Sequence, residues 1–230
     1  MPIFRLSERI EFPPPRLARS DGLLCVGGDL SPERLIEAYR NGIFPWYAYN
    51  EPILWWTPDP RLVLYPENIR VSRSLAKKIR KEYFSVTMDT AFDEVIYNCA
   101  YTRTLTGEGT WLTGDMIQAY TRLHEAGYAH SVECWRKGRL AGGLYGVSLG
   151  GAFFGESMFT ILSDASKVAL VHLCRYLEKF GFDFIDCQVT TEHMVSMGAV
   201  EISRELFFKK LGHSLQKPDR TFKWSFDDTE

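Results

Sequence analysis

Three consecutive segments between residues 129 and 159 constrain the fold of this chain more than any other feature. The segments "AHSVECWR", "RLAGGLYGVSLG" and "AFFGESMF" are rich in strand-forming residues, and glycine-containing pairs separate them, Lys137-Gly138 and Gly150-Gly151. Turns this short join neighbouring antiparallel strands. The sequence therefore predicts an antiparallel three-stranded meander.

The segments around this meander follow helix and strand patterns. Before it we predict a strand, "FSVTM" (84–88), and two helices, "AFDEVIYNCA" and "TGDMIQAYTRLHEAG", the second ending at Gly127. After it we predict a long amphipathic helix up to Phe180, a parallel return strand "DFIDCQV", and a helix over 203–211. This order resembles the mixed sheet of the GCN5-related N-acetyltransferases, an α/β (α+β) fold. A likeness of fold alone does not give a function.

The first 65 residues differ in texture from the rest, being rich in Pro, Gly and Trp, as in "FPPPR", "GIFPWY" and "ILWWTPDPR". One helix is predicted here, with Ser31 as N-cap, Pro32 as first residue and Gly42 at its end. Its apolar side consists of Leu35, Ile36 and Tyr39. We therefore predict a small loop-rich N-terminal domain over 1–65 and an acyltransferase-like catalytic domain over 66–230.

Composition limits the class of partner. Lys and Arg number 27 against 29 Asp and Glu, so a polyanion would have to be held by a local basic patch. The five Cys are scattered without a C-x-x-C, which disfavours disulfides and zinc and fits a reducing cytoplasm. No run reaches the roughly 18 apolar residues of a membrane span. We expect a cytoplasmic protein with no metal, no cofactor, and no membrane or DNA partner.

The strand "FIDCQVTTEH" (184–193) carries the candidate chemistry. Side chains alternate along a strand, so Asp186 and Gln188 are predicted to share one face and Cys187 to lie on the other. A buried carboxylate in a central strand is costly unless something specific compensates it. This pattern favours an amide and carboxylate site, with Cys187 as a small buried hydrophobe.

The turn before the long helix argues against one class of acyl donor. N-Acetyltransferases of this fold hold the pyrophosphate of coenzyme A on a glycine-rich turn, where backbone N–H groups face the anion. The corresponding segment here, "TILSDASK", contains no glycine. An acyl group is therefore expected to arrive on a different carrier.

Several unusual blocks resemble one family over nearly the whole chain: "GGDLSPERLIEAYRNGIFPW", "WWTPDPR", "GTWL", "RLHEAGYAHSVECW", "GESMF", "ASK", and "IDCQ" with "SMGA". They are similar to the leucyl/phenylalanyl-tRNA–protein transferases. The resemblance implies transfer of Leu or Phe, and less well Met, from aminoacyl-tRNA to proteins with N-terminal Arg or Lys. Such a product carries an N-degron and enters the N-end rule pathway of degradation.

In that reaction the aminoacyl ester is already activated, so the main task is to position the attacking amine. We expect Gln188 to accept a hydrogen bond from the amine through its side-chain oxygen, and Asp186 to hold the Gln188 NH2. The proton is expected to end on the departing ribose hydroxyl. The resemblance also places Glu156 in the site, where it would either orient the amine or offer negative charge to the acceptor's Arg or Lys side chain.

Five further residues are candidates for binding the donor. Leu144 and Met158 are expected in the amino-acid pocket, because Met adapts to both Leu and Phe, and the resemblance adds Leu173. Trp46 and Trp111 lie in loop-like contexts where a ring could stack on the terminal adenine.

The segment "SRSLAKKIRK" is the predicted tRNA contact, through Arg73, Lys77, Lys78, Arg80 and Lys81. Two other functions stay open: a cysteine hydrolase using Cys187 and His193, and a non-catalytic tRNA or amino-acid binding module. Strand parity disfavours the first, and the Asp186 and Gln188 pair disfavours the second. We give His193 no catalytic role.

Overall fold

The computed structural model describes residues 3–105 and 112–228, and within them the chain forms two sheets. The smaller sheet is N-terminal and has the order β1-β2-β4-β3. Its strands are β1 (Phe4–Leu6), β2 (Leu23–Gly27), β3 (Phe44–Pro45) and β4 (Leu54–Trp56). The predicted helix lies between β2 and β3 as α1 (Pro32–Arg40), and the Ser31 side chain accepts a hydrogen bond from the Arg34 N–H, which confirms its N-cap.

The larger sheet is mixed and has the order β11-β5-β10-β9-β8-β7-β6. Its strands are β5 (Arg61–Leu64), β6 (Ser85–Met88), β7 (Ala129–Arg136), β8 (Arg139–Leu149), β9 (Ala152–Thr160), β10 (Phe184–Gln188) and β11 (Val200–Ile202). The antiparallel meander β7-β8-β9 and the parallel pairing of β10 with β9 are confirmed. The boundary at residue 65 stays a prediction, and β5, which precedes it, is a strand of this larger sheet.

Helices cover both faces of the larger sheet. They are α2 (Arg73–Arg80), α3 (Phe92–Leu105), α4 (Gly114–Glu125), α5 (Ala165–Lys179), α6 (Glu192–Ser196) and α7 (Arg204–Ser214). Buried residues of α1, α3, α4 and α7 pack with one set of strand side chains, and those of α5 pack with the alternate set. In the described ranges, no helix combines the length and apolar character needed to cross a bilayer.

The pairing between β9 and β10 is short. Its last partners are Asp186 and Phe154, and beyond them β10 shifts its register against β5 between Asp186 and Gln188. Gln188 has a φ of 63°, outside the extended range. The two central strands therefore stop pairing beside Gly155 and Glu156, and this gap is where the site lies.

Candidate active site

A cavity of about 440 Å³ lies where β9 and β10 stop pairing. Glu156 and Gln188 form a polar part of its wall, and Trp46, with 43% of its surface exposed, also lines it. The rest is largely apolar and includes Leu144, Phe153, Met158, Leu170, Leu173, Ile185 and Met194. The structure thus brings six of the predicted site residues together: Trp46, Leu144, Glu156, Met158, Leu173 and Gln188.

Gln188 is held by two different carboxylates, which corrects one expectation. Its side-chain Nε2 donates to Glu156 Oε1 at 2.7 Å, and its backbone N donates to Asp186 Oδ1 at 2.9 Å. We expected Asp186 to hold the Gln188 NH2, and that prediction is wrong. No described residue donates to Gln188 Oε1, so this oxygen keeps its acceptor capacity for a substrate.

The bend in β10 also corrects the argument from strand parity. Alternation predicts that Cys187 and Gln188 lie on opposite faces, yet both line the cavity. The left-handed φ of Gln188 breaks the alternation at this step and redirects its side chain. The position of the Cys187 thiol therefore does not exclude cysteine chemistry. Its pKa argues against it, because burial raises that pKa well above its usual value and disfavours the thiolate.

Asp186 lies beneath the cavity wall and is fully buried with Arg61 of β5. Arg61 donates from Nε to Oδ1 at 2.8 Å and from Nη2 to Oδ2 at 2.6 Å, a bidentate pair. The guanidinium lies 4.9 Å from the ring centre of Phe44 and 4.6 Å from that of Phe207. Our sequence reasoning missed Arg61, although an Arg opening the apolar run "RLVL" was a usable signal for a buried ion pair.

Glu156 is 7% exposed, and its described partners are uncharged. The Tyr39 hydroxyl lies 2.8 Å from Oε1, and the Tyr120 hydroxyl lies 2.8 Å from Oε2. Burial raises the pKa of Glu156 to about 7, while the hydrogen bonds from Tyr39, Tyr120 and Gln188 act in the opposite direction. Glu156 is therefore poised to change its protonation near neutral pH.

His193 and Trp111 are two further residues considered from the sequence. His193, given no catalytic role from sequence, lines the cavity, and its Nε2 is buried without a hydrogen-bond partner among the described residues. Burial lowers the pKa of His193, which favours the neutral ring. Trp111 lies outside the described residues, so its predicted stacking role stays a prediction.

The basic segment forms α2, capped by the Ser72 side chain, which accepts from the Leu75 N–H. Four of its five cations are exposed: Arg73, Lys77, Arg80 and Lys81. Lys78 instead forms a salt bridge with Asp164 at 2.6 Å. Asp164 is the N-cap residue of α5, within the glycine-free turn, so a carboxylate lies where this helix begins.

Comparisons with known proteins agree on one family. The leucyl/phenylalanyl-tRNA protein transferase profile matches residues 63–212, and the profile of that family's N-terminal domain matches residues 28–59. A leucyl/phenylalanyl-tRNA–protein transferase of Desulforapulum autotrophicum is 59% identical over 98% of this chain and 99% of its own length. One from Syntrophobacter fumaroxidans is 59% identical over 94% of this chain and 92% of its own.

Among solved structures, a GCN5-related N-acetyltransferase from Anabaena variabilis is similar at a TM-score of 0.41 and 11% identity. The match covers 76% of this chain and 43% of that chain.

Proposed function

Because this chain belongs to the leucyl/phenylalanyl-tRNA–protein transferase family and is an aminoacyltransferase, we propose that it moves Leu or Phe, and less well Met, from aminoacyl-tRNA to proteins with N-terminal Arg or Lys. The modified protein then carries a destabilising N-terminal residue and is degraded through the N-end rule pathway in the cytoplasm. The observation that carries this proposal is the cavity, where Gln188 and Glu156 meet an apolar wall that suits an uncharged Leu or Phe side chain.

The proposed step joins the acceptor's α-amino nitrogen to the aminoacyl carbonyl carbon and breaks the ester bond to the tRNA ribose. An α-amino group has a pKa of about 7.7–8.0, so a useful fraction is the free base near neutrality. Gln188 Oε1 accepts a hydrogen bond from this amine and holds its lone pair toward the ester. A neutral amide cannot keep the proton, which passes to the departing ribose hydroxyl, directly or through water.

Asp186 acts through the backbone. Its Oδ1 accepts from the Gln188 backbone N–H, and the Arg61 guanidinium fixes the carboxylate that does so. This arrangement supports the left-handed conformation that turns the Gln188 side chain toward Glu156. Asp186 and Arg61 are therefore positioning residues for Gln188.

The apolar wall selects the donor side chain. Leu144 of β8, Met158 of β9 and Leu173 of α5 approach the cavity from three elements, and a flexible Met fits both a branched and an aromatic guest. Trp46 supplies an exposed ring for the terminal adenine.

The exposed cations of α2 bind the tRNA stem. Phosphate contacts release counterions, and binding weakens with salt at a slope of about −0.9 per neutralised phosphate on duplex DNA. We expect Lys77→Ala with Arg80→Ala to weaken Leu-tRNA and Phe-tRNA binding alike and to make the salt slope shallower. Lys209→Ala with Lys223→Ala, which removes two exposed cations elsewhere, is the matched control.

A minimal aminoacyl-adenosine donor has no stem, so its turnover should survive the α2 changes. An unchanged salt slope would make α2 an ordinary solvated helix face, and equal loss with both donors would indicate misfolding. Coenzyme A compounds should neither donate nor compete, since the turn that opens α5 has no glycine to present bare backbone N–H groups to a pyrophosphate.

The function is tested by incubating labelled Leu-tRNA with acceptor proteins that differ only in an N-terminal Arg, Lys or Ala. We expect transfer to the first two and none to the third, with Phe-tRNA active and Met-tRNA weaker. Failure of transfer to the Arg acceptor by a folded protein would refute the proposal and favour a non-catalytic binding module.

A further inference from the structure

Three buried groups form a closed ring of short oxygen contacts behind the cavity. The hydroxyls of Tyr39 and Tyr120 lie 2.6 Å apart, and each lies 2.8 Å from one oxygen of Glu156. All three distances are those of O–H···O hydrogen bonds. Tyr39 comes from α1, Tyr120 from α4 and Glu156 from β9, so three separate elements meet here.

A count of protons constrains the state of this ring, which we call the Tyr39–Tyr120–Glu156 ring. Three contacts need three protons, and the two tyrosines supply two. If Glu156 were ionised, one contact would set two oxygen lone pairs against each other in a buried place, where an unmade hydrogen bond is costly. The Gln188 side-chain NH2 cannot supply the missing proton. It already donates to Glu156 Oε1, and this bond is not one of the three contacts of the ring.

We propose that the resting protein holds Glu156 as the neutral carboxylic acid and that its proton closes the ring. Glu156 Oε2 then donates to Tyr120, Tyr120 donates to Tyr39, and Tyr39 donates to Oε1. In this direction Oε1 remains an acceptor for Gln188, so the orientation of the Gln188 amide is preserved. Tyr39 and Tyr120 are thereby positioning residues for Glu156.

The surroundings of Glu156 agree with a neutral acid. The titratable groups facing it are Tyr39 from α1, Tyr120 from α4 and Asp186 from β10, and Tyr145 from β8 faces the two tyrosines. Asp186 is already paired with Arg61 and further disfavours a second negative charge. No described side chain that hydrogen-bonds Glu156 is a cation.

The functional consequence rests on the proposed transfer to an amine. A carboxylate at this point would stabilise the acceptor's ammonium form, which has no lone pair and cannot attack. A neutral acid gives the ammonium no such partner, so the site does not favour the protonated acceptor over the free base. While its proton closes the ring, Glu156 orients the amine through Gln188 and has no negative charge to offer the acceptor's Arg or Lys side chain.

The first test is a measurement without substrate, so its result stands even if the transfer activity fails. Glutamate labelled with carbon-13 at the carboxyl carbon is followed by NMR, and loss of one signal in Glu156→Gln assigns Glu156. We expect a protonated signal at about pH 6 that titrates near neutrality, well above ordinary glutamates. A carboxylate signal down to about pH 5 would overturn the proposal. A shift of the same signal in Tyr120→Phe gives a second assignment if Glu156→Gln does not fold.

The second test compares two substitutions in transfer assays. Gln at 156 carries an oxygen at the place of Oε1 and an NH2 at the place of the acid hydroxyl, so it keeps the ring without a charge. We expect Glu156→Gln to lower kcat/KM by less than about tenfold and Glu156→Ala by more than about a hundredfold. Equal losses in two folded variants would mean that the ionised carboxylate is required, which overturns the proposal.

Discussion

Two buried carboxylates lie on neighbouring strands, Glu156 in the wall of the cavity and Asp186 beneath that wall, and their partners differ in kind. Asp186 on β10 faces the guanidinium of Arg61, with both oxygens engaged. Glu156 on β9 faces two tyrosine hydroxyls and an amide. An opposite charge compensates an ionised carboxylate in a low-dielectric interior far better than neutral donors do. The difference teaches that burial alone does not set the role of a carboxylate, and that the charge of its partner does.

Gln188 connects these two environments. Its backbone N–H donates to Asp186, which is ion-paired with Arg61, and its side-chain NH2 donates to Glu156, which has no cationic partner among the described residues. The first contact fixes a backbone conformation, and the second fixes which end of the amide faces the cavity. Sites that use carboxylates for different tasks commonly separate their environments in this way.

The largest expected effect comes from breaking the Arg61–Asp186 pair. Arg61→Met leaves the Asp186 carboxylate buried without a counter-charge, and removing one partner of such a pair costs about 3–5 kcal/mol. The free energy of unfolding, measured by urea denaturation of wild type and variant, reports this loss.

The double substitution Arg61→Met with Asp186→Leu is the control for that measurement. Replacing both partners by apolar residues is often neutral for stability, so most of the loss should be recovered. Transfer activity should stay low, because the Gln188 backbone N–H has lost its acceptor. If the double variant is no more stable than Arg61→Met, the pair is not the reason for the loss.

A smaller effect on stability, one that depends on pH, is expected at Glu156. The folded state raises the pKa of Glu156 from 4.5 to about 7, so between these values the folded protein holds a proton that the unfolded chain has released. Stability is therefore lost as pH rises through this window. When the pH is raised from about 4.5 to about 8, the free energy of unfolding of wild type should fall by about 3 kcal/mol more than that of Glu156→Gln.

Urea denaturation at both pH values checks this difference. Glu205→Gln on α7 is the matched control, because the same chemical change is made on a side chain that is 84% exposed. Parallel pH dependence in wild type and Glu156→Gln would show that Glu156 has the same protonation in the folded and unfolded states.

The third effect is expected at Gln188, which hydrogen-bonds both carboxylates. Gln188→Ala keeps the backbone contact to Asp186 and removes the amide, so we expect kcat to fall about a hundredfold with little change in stability. Cys187→Ala alters the cavity wall next to it and should cost less than about fivefold. Loss of turnover in a folded Cys187→Ala protein would favour a nucleophilic thiol over the amide.

Local patterns predicted much of this fold. The β7-β8-β9 meander, the turns at Lys137-Gly138 and Gly150-Gly151 and the capped helix α1 are set by neighbouring residues, so the sequence could show them. The strand pattern pointed to Gln188, the loop context to Trp46 and the resemblance to Glu156, and the cavity brings the three together.

The partners of the two carboxylates could not be predicted in the same way. Arg61 and Asp186 are 125 residues apart in sequence, and Tyr39 and Tyr120 meet only when α1 and α4 pack. Tyr39 fits the apolar side of an amphipathic helix, and nothing local shows that its hydroxyl faces Glu156. The turn of Gln188 into a left-handed conformation also depends on a contact with Asp186 that strand alternation does not include.

The smallest effect tests whether the neutral partners of Glu156 act as one unit. Tyr39→Phe and Tyr120→Phe should each lower the free energy of unfolding, measured by urea denaturation, by about 1 kcal/mol or slightly more. Each substitution removes two of the three contacts in the ring. The double variant should cost less than the sum of the two, since both single changes remove the same Tyr39–Tyr120 bond. Tyr47→Phe is the control, as its hydroxyl makes only a 3.4 Å contact with Thr113. Additive costs would mean that each tyrosine donates separately to an ionised Glu156. Glu156 and Asp186 would then both be ionised, and only the charge of their partners would differ.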